Sequence, residues 1–266
     1  MNILYIGDIM GEPGIKAVQK VLPELQKKYK LDLVIAQAEN VTDGRGMSLS
    51  DYKRLQKLGV DFFTGGNWVT HRSELHAMLN DLKEPVIRPA NYPIGTPGKG
   101  YKYIRRHGKT VFVISLLGQI VGKDADNPLD NPLRRVDEIL EANKDTKRET
   151  TIVNFHGDFS SEKKVIGYYL DGLVTAVVGD HWHVPTADAM VLPKGTAHIT
   201  DVGMCGVLHS SLGIKLDTII ARWRDDQVNQ NQLETEGPLQ FNAVLIKSDE
   251  ATGLAESIEH IQRILN

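Results

Sequence analysis

The chain of 266 residues is long enough to bury one large hydrophobic core. Hydrophobic residues make up 41% of it and charged residues 24%, which is ordinary for a soluble globular protein. The formal net charge of −3 argues against a non-specific nucleic-acid binder, which would normally be clearly basic. A nucleotide substrate stays open, because bound metal ions can supply positive charge locally.

The cysteine content and the N-terminal sequence both favour a cytoplasmic protein. Cys205 is the single cysteine, so the chain can form no internal disulfide, which suits a reducing compartment. The N-terminus runs directly into an apolar segment without the basic region of a secretory signal. No apolar run approaches the roughly 18 to 20 residues that span a bilayer. We therefore expect a cytoplasmic protein without a membrane segment.

Short apolar runs alternate with segments of helical period along the chain. The predicted strands cover residues 3–6, 33–38, 61–64, 110–116, 151–155, 174–178 and 241–246. The predicted helices cover residues 15–29, 48–58, 73–82, 131–142, 162–170 and 252–265. Such alternation implies crossover connections, so we predict a layered α/β fold, with one or more largely parallel central sheets flanked by helices. We predict one domain over residues 1–266, with surface loops at 123–131 and 224–238.

Two helix starts and one helix end carry specific local signals. Ser48 and Asp51 have the three-residue spacing of a capping box, and Gly59 is expected to end the helix that they begin. Asn131 followed by Pro132 is a good pair for the N-cap and the first helical position. These signals fix the expected ends of two helices.

Polar side chains follow five of the predicted strands at the point where each strand ends. In open α/β sheets, ligands bind beyond the carboxyl ends of the strands, so these side chains are expected to converge. They are Asp8, Glu39, Asn40, Asn67, His156, His181 and His183. Each one alone has an ordinary structural interpretation, as a turn residue, a helix cap or a hydrogen-bonded histidine. The joint pattern is much more specific than any single member.

His181 and His183 form the most specific pair in this set. In extended backbone, residues i and i+2 point to the same side, so the two imidazoles would face one point. Imidazole, carboxylate and amide ligands suit Fe, Mn or Zn, and the absence of sulfur disfavours a structural zinc cluster. Seven candidate ligands are more than one ion needs, so we predict a cofactor of two divalent metal ions.

Two cations about 3.5 to 4 Å apart can clamp the attacking and leaving oxygens of an in-line displacement. Holding them that close needs a bridging anion, for which Glu39 is the natural residue. With Asp8 and Glu39 as the anionic ligands, the site would carry a charge of about +2. A bridging hydroxide and a monoanionic phosphodiester would neutralise it, which favours a diester over a monoester.

Several motifs at these positions resemble those of the YmdB-like bacterial metallophosphoesterases, a branch of the calcineurin-like phosphoesterases. The motifs are GDIMG at 7–11, AEN at 38–40, GN at 66–67, FHG at 155–157, GDHWHVPTAD at 179–188, LPKGTA at 192–197 and TDVGM at 200–204. The resemblance covers essentially the whole chain. It implies a binuclear iron or manganese site that acts on phosphodiesters, usually 2′,3′-cyclic nucleotides, through a metal-bridging hydroxide.

The resemblance also implies a distribution of the ligands. Asp8 and His183 would bind one metal, and Glu39 would bridge to the other. The second metal would be bound by Asn67, His156 and His181. Asn40 would contact the first metal or the phosphate. These assignments rest on the motif matches and are expectations at this point.

Two positions depart from the pattern of the family. Where the family has a catalytic His after the Gly-Asn pair, this chain has Trp68, whose indole has no titratable proton. His71 lies three residues further on and is a speculative substitute, although a surface histidine is the more common case. Asn154 stands where the family usually has Asp. Because general acid–base help is typically worth about 10²- to 10⁴-fold, activity could be reduced or altered.

Three functions therefore stay open from the sequence. The first is a metal-dependent phosphodiesterase with a small nucleotide or other phosphodiester as its substrate. The second is a catalytically weakened regulatory protein that binds metal or nucleotide, and the third is a phosphomonoesterase. The basic segment 99–109, with Tyr101 and Tyr103 between its charges, is better explained as a solvated edge strand than as an RNA-binding patch. A homo-oligomer is left open.

Overall fold

The protein is described by a computed structural model that covers residues 1–122 and 125–266. Its strands are β1 Asn2–Ile6, β2 Asp8–Ile9, β3 Leu33–Gln37, β4 Phe62–Thr64, β5 Tyr101–Arg106, β6 Lys109–Leu117, β7 Thr150–His156, β8 Ala176–Asp180, β9 Met190–Val191, β10 Ala197–Ile199, β11 Met204–Val207, β12 Leu239–Ser248 and β13 Ala255–Leu265. Its helices are α1 Gly11–Tyr29, α2 Leu49–Leu58, α3 His76–Asn80, α4 Pro132–Ala142, α5 Ser160–Tyr169 and α6 Leu216–Asp225, with a 3₁₀ turn at Ser73–Leu75.

The strands form two sheets. One has the order β2-β11-β12-β1-β3-β4, with β13 paired to β12, and the other has the order β5-β6-β7-β8-β10-β9. The pairs β1–β3 and β3–β4 of the first sheet and β6–β7, β7–β8 and β8–β10 of the second are parallel. The predicted layered α/β class with mostly parallel sheets is confirmed. The number of sheets, which the sequence analysis leaves open, is two among the described strands.

The two sheets pack face to face, and helices cover their outer faces. Along β1, Ile3 and Tyr5 join the core between the sheets, whereas Leu4 and Ile6 join the core beneath α1 and α2. A third core lies between the second sheet and helices α4 and α5. Because β1 is buried on both faces from Ile3 to Ile6, this part of the strand is a continuous hydrophobic run rather than an alternating one.

The cap signals are confirmed at both predicted helix starts. The side chain of Ser48 accepts a hydrogen bond from the backbone N–H of Asp51 at 3.1 Å. Asn131 caps α4 by accepting from the two backbone N–H groups that follow Pro132, at 3.0 and 3.1 Å. Gly59 ends α2 in the left-handed conformation, at φ 100°. Local sequence therefore sets these boundaries.

The predicted helix over residues 252–265 is wrong, because this segment forms strand β13. It pairs antiparallel with β12 along its length, from Leu239 opposite Leu265 to Ser248 opposite Ala255. Isoleucines at positions 258, 261 and 264 have a three-residue spacing that imitates a helix face. The backbone groups along β12 need partners, however, and this requirement outweighs a local helical period.

The predicted loops are partly confirmed. Residues 125–131 have no helix or strand, while positions 123 and 124 of that loop lie outside the described residues. The predicted loop 224–238 begins inside α6, a helix that the sequence analysis does not predict. β5 is an edge strand of the second sheet, as expected, and among the described strands its partner is β6. Among the described helices, none combines the length and apolar character that crossing a membrane requires.

Candidate metal centre

The predicted ligands lie where strands from both sheets end. Asp8 is the first residue of β2, which only Gly7 separates from β1. Glu39 comes two residues after β3. From the second sheet, His156 is the last residue of β7 and His181 follows the last residue of β8. The predicted residues therefore lie at strand ends of both sheets, which brings the two sets of strand ends to one place.

The closest group consists of Glu39, His156 and His181. Glu39 Oε1 lies 3.0 Å from His156 Nε2, and the rings of His156 and His181 are 4.4 Å apart. One ligand atom from each of the three residues lies within 4.8 Å of the others. Glu39 and His156 are almost fully buried. This group has the composition and the spacing of a metal site.

Asn67 brings a further acceptor to the same point. Its Oδ1 is 3.0 Å from His156 Nε2. The other ring nitrogen of His156, Nδ1, is 2.7 Å from Asp180 Oδ1, a short contact that places the ring proton on Nδ1. The lone pair of Nε2 then faces two oxygen acceptors. A cation at that point would satisfy all three atoms, so the residues fit a bound metal.

The electrostatics of this group reflect the same crowding. Burial opposes a charge on His156, yet Glu39 and Asp180 together raise its pKa well above the ordinary value for histidine. Burial also opposes the charge of Glu39, but His156 and His181 lower the pKa of its carboxyl group. Without a metal, a proton on His156 therefore takes the place that a cation would occupy.

Asp8 and His183 form a second group beside the first. His183 Nε2 is 3.7 Å from Asp8 Oδ1, and Asp8 Oδ2 accepts the backbone N–H of His181 at 3.2 Å. Burial, followed by the nearby charge of Asp180, raises the pKa of Asp8 well above its usual range. Burial, followed by the neighbouring His181, lowers the pKa of His183 to about 4. A neutral imidazole is the form that binds metal.

Two buried oxygens near these groups test the fit further. Within residues 1–122 and 125–266, Asp8 Oδ1 and Asn40 Oδ1 accept no hydrogen bond. Both residues are buried, at 0% and 7% exposure. A buried acceptor without a donor is costly, and coordination to a cation is one way of satisfying it. Asp8 and Asn40 therefore suit the ligand roles that the family resemblance implies.

The backbone of the His181–His183 turn corrects one step of the sequence argument. The sequence analysis expects extended backbone here, but β8 ends at Asp180, and His181 and His183 have φ angles of 101° and 62°. Residues other than glycine rarely adopt such backbone angles, each of which costs of order 1 to 3 kcal/mol. The turn sends His181 to the Glu39 group and His183 to Asp8, so the pair divides between the two groups.

A buried ion pair that sequence reasoning missed holds this turn in place. Lys163 Nζ donates to the backbone carbonyl of Asp180 at 2.6 Å and to Asp201 Oδ2 at 2.7 Å. The same carboxylate oxygen accepts the backbone N–H of Trp182 at 2.9 Å. Asp201 lies in the TDVGM motif, but nothing in the sequence tells that its partner is a lysine 38 residues away.

Asp180 organises the buried side of the centre and was also missed as a functional residue. Besides His156, its carboxylate accepts hydrogen bonds from Tyr5 at 2.9 Å and from Asn154 at 2.6 Å. Asn154 is one of the two positions at which the resemblance implies a different residue. Its amide donates to Asp180, whereas a second carboxylate there would face Asp180 with like charge. Asn154 therefore suits this buried network.

Trp68 and His71 occupy different positions relative to the centre. Trp68 lines an open cleft of about 1430 Å³, together with Glu39, Asn40 and the turn from His181 to His183. Its backbone N–H donates to Glu39 Oε2 at 3.0 Å. His71 is exposed, its ring stands edge-on to the indole at 5.4 Å, and it is not among the residues that line the cleft.

Asp158 is a further cleft residue that the sequence did not suggest. Its Oδ1 lies 3.2 Å from His181 Nε2, and its Oδ2 accepts the backbone N–H of Val121 at 2.7 Å. Although burial favours the neutral acid, the hydrogen bonds to His181 and Val121 lower the pKa of Asp158. The FHG motif ends one residue before it, which was the only signal available.

Known proteins resemble this chain over nearly all of its length. A 2′,3′-cyclic-nucleotide 2′-phosphodiesterase of Bacillus subtilis is 40% identical over 262 residues, which cover 98% of this chain and 96% of that protein. A hypothetical protein from Thermus thermophilus has a crystal structure with a TM-score of 0.90 at 38% identity, covering all of both chains. The crystal structure of a Mycoplasma pneumoniae phosphatase gives a TM-score of 0.92 at 30% identity, covering 100% of this chain and 94% of that one.

Similarity in fold alone is found with proteins of much lower sequence identity. The structure of an NAD nucleotidase from Haemophilus influenzae matches with a TM-score of 0.56 at 18% identity, covering 100% of this chain and 56% of that one. The sequence pattern of the family described as YmdB-like protein matches residues 4–261, which include every predicted ligand. The resemblance read from the motifs is therefore confirmed, and the chain belongs to the YmdB-like protein family.

Proposed function

We propose that this protein is a metal-dependent phosphodiesterase that hydrolyses 2′,3′-cyclic nucleotides or related phosphodiesters. The observation that carries the proposal is the meeting of Glu39 Oε1, Asn67 Oδ1 and His156 Nε2, with both oxygens 3.0 Å from the nitrogen. Three acceptors at one buried point need a positive charge between them, which a metal ion would supply and which a proton on His156 supplies without it. Asp180 holds the remaining ring nitrogen of His156 and so directs the lone pair of Nε2 to that point.

The ligands would hold two divalent ions, with Fe or Mn favoured and Zn compatible. Asn67, His156 and His181 would bind one ion, Asp8 and His183 the other, and Glu39 would lie between them. Asn40 would add its unpartnered oxygen to the ion held by Asp8 and His183, or to the substrate. When bound, such ions act as Lewis acids on phosphoryl oxygens and increase the acidity of water.

The residues of the chain fix this arrangement before substrate arrives. The backbone N–H of Trp68 holds one oxygen of Glu39 and leaves the other toward His156. The ion pair of Lys163 and Asp201 holds the turn that carries His181 and His183. Such prior organisation matters because the centre then needs little rearrangement when charge develops on the substrate.

The choice of substrate rests on a relative and on charge. The Bacillus subtilis relative carries the name of a 2′,3′-cyclic-nucleotide 2′-phosphodiesterase. Two divalent ions with the carboxylates of Asp8 and Glu39 leave a charge of about +2, which a hydroxide and a phosphodiester monoanion together neutralise. A phosphomonoester dianion in place of the diester would leave the site with a net negative charge. The diester is therefore the favoured substrate.

Elemental analysis combined with a substrate comparison tests this proposal. Protein reconstituted with Mn²⁺ or Fe²⁺ is expected to hold two ions per chain and to hydrolyse 2′,3′-cyclic AMP faster than 3′,5′-cyclic AMP or 5′-AMP. Glu39→Gln serves as the inactive comparison. Faster turnover of 5′-AMP than of either diester would favour a phosphomonoesterase. One ion per chain, or none, would remove the binuclear part of the proposal.

Trp68 favours a second candidate, a regulatory protein that binds metal and nucleotide with little turnover. The indole lines the cleft but cannot donate a titratable proton to a leaving group. Bound metal and tight nucleotide binding, together with turnover close to that of Glu39→Gln, would select this second function. Nucleotide binding, measured by titration alongside metal content and turnover, therefore separates the candidates.

A further inference from the structure

A short turn beside the metal centre, residues 42–46, which we call the Arg45 loop, is tied to two of the predicted ligand residues. The backbone N–H of Gly46 donates to the carbonyl of Glu39, and Asn40 Nδ2 donates to the carbonyl of Gly44 at 3.0 Å. Gly44 and Gly46 have φ angles of 78° and 71°, which glycine adopts without strain. These bonds hold the backbone of Arg45, an exposed residue, beside Glu39 and Asn40.

The outer side of the Arg45 loop is fixed as well. Arg72 donates from Nε to the carbonyl of Arg45 at 3.0 Å, and from its terminal nitrogen to the carbonyl of Thr42 at 3.1 Å. It also pairs with Asp43, the one carboxylate of the loop, at 3.0 Å. Asp43 is thus not the counter-ion of Arg45.

Arg45 extends over the indole of Trp68. Its guanidinium carbon lies 4.7 Å from the ring centre, in the range of a cation–π contact. Within the part of the chain that the structure describes, its side chain has no carboxylate partner and no hydrogen bond. Arg222, which lines the same cleft, instead donates to the carbonyl of Asn229 at 2.7 Å and to the side chain of Asn231 at 2.8 Å.

We propose that Arg45, seated on the Trp68 ring, binds a phosphate oxygen of the substrate in the cleft. The assignment rests on the proposed function and names a recognition residue for it. A guanidinium presents paired N–H donors that match two oxygens of a phosphate, and an aromatic face holds it flat. Trp68 then has a positive role, because it positions a fixed positive charge beside the centre.

The charge pattern of the cleft supports an anionic ligand at this place. The carboxylates of the wall are engaged: Glu39 with His156 and the Trp68 N–H, Asp43 with Arg72, and Asp158 with His181. An arginine left without a counter-ion in such a wall attracts an anion from solution. A phosphate whose other oxygens meet the metal centre is the anion that the location selects.

Calorimetric titration with inorganic phosphate tests the assignment directly. The proteins compared are the Mn²⁺-loaded wild type, Arg45→Met, Arg45→Lys and, as a matched control, Arg105→Met on the exposed edge strand β5. Hydrogen bonds to charged groups are worth enough that Arg45→Met should weaken phosphate binding by about 10-fold or more. Arg45→Lys should fall between, and Arg105→Met should match the wild type. Metal content is measured in every sample.

Two variants of the aromatic seat complete the test. Trp68→Phe keeps a ring beneath Arg45 and should bind phosphate within about threefold of the wild type, whereas Trp68→Ala should approach Arg45→Met. Because the titration measures binding, it decides the role of Arg45 even if 2′,3′-cyclic AMP proves not to be a substrate. Equal phosphate affinity in Arg45→Met and wild type, at equal metal content, would overturn the assignment. So would a metal-loaded wild type that binds no phosphate.

Discussion

His156 Nδ1 lies 2.7 Å from Asp180 Oδ1, and both side chains are fully buried. This contact decides which nitrogen of the imidazole carries the proton. With the proton on Nδ1, the lone pair of Nε2 faces Glu39 and Asn67. Asp180 is itself held by Tyr5 and Asn154. A predicted metal ligand thus depends on a residue that is not itself predicted to bind metal.

Asp180→Asn should weaken metal binding by about 10- to 100-fold, which is typical when the partner of a ligating histidine is lost. The amide that this variant carries at position 180 can also donate to His156 Nδ1. This favours the other tautomer, in which the proton sits on Nε2 and blocks its lone pair. Metal affinity is measured by competition with a chelator. Asp171→Asn is a matched control, since Asp171 is a buried carboxylate that binds backbone N–H groups away from the centre. Equal affinities in all three proteins would contradict the role given to Asp180.

Glu39→Gln should lower kcat/KM by more than about 100-fold and reduce the metal content, because in the proposed binuclear centre this carboxylate would offset the repulsion between two cations. Asn40→Ala should retain metal and lose less of its kcat/KM, because a neutral amide does not offset charge between cations. The Nδ2 of Asn40 also holds the Arg45 loop through Gly44. We expect its KM for a diester to rise more than its kcat falls. The measurements are elemental analysis and steady-state kinetics. A Glu39→Gln variant with full metal and full turnover would remove the bridging role.

His198 gives a prediction on pH and stability at a site away from the metal ligands. Burial, together with the positive charge of Lys164, lowers its pKa to about 4 in the folded chain. The unfolded chain has the ordinary value of about 6.5, so it takes up a proton first as the pH falls. The stabilising contribution of neutral His198 is complete above pH 6.5 and is lost as the pH falls toward 4.

Urea unfolding of wild type and His198→Gln at pH 7.5 and pH 4.5, both with a chelator, measures this contribution. The wild type should lose about 2 kcal/mol more unfolding free energy between the two pH values than the variant, which cannot titrate there. Other groups titrate in both proteins and cancel in the comparison. Equal losses would show that His198 has the same pKa in the folded and the unfolded chain.

Much of the fold could be predicted because its signals are local. Ser48, Gly59 and Asn131 set helix boundaries through caps that involve only their near neighbours. β13 could not be predicted in this way, because its identity depends on pairing with β12 and not on its own spacing. Likewise, nothing local says that the strands divide into two sheets, since a buried parallel strand is apolar in either arrangement.

The candidate site shows the same division. Asp8, Glu39 and His156 could be named because each follows a strand whose end is visible in the sequence. Asp180, Lys163 and Asp201 could not, because their role is to hold other residues through contacts formed only in the folded chain. The left-handed angles of His181 and His183 belong to this second class, since a His-x-His spacing is compatible with a strand as well as a turn.

The last prediction joins Trp68 to Arg45. Trp68→His replaces the indole by an imidazole, which can carry a charge and donate a proton but holds a guanidinium less well. We expect this variant to raise kcat for 2′,3′-cyclic AMP by about 10-fold over the wild type. This is less than the full effect of general acid–base catalysis, because the imidazole is not placed by the surrounding residues. In the Arg45→Met background the gain should be larger, because the imidazole then also restores a positive charge beside Glu39. kcat, KM and metal content are measured for the wild type, both single variants and the double variant. The same fold-change in both backgrounds would mean that position 68 and Arg45 act independently, contrary to the seating of one on the other.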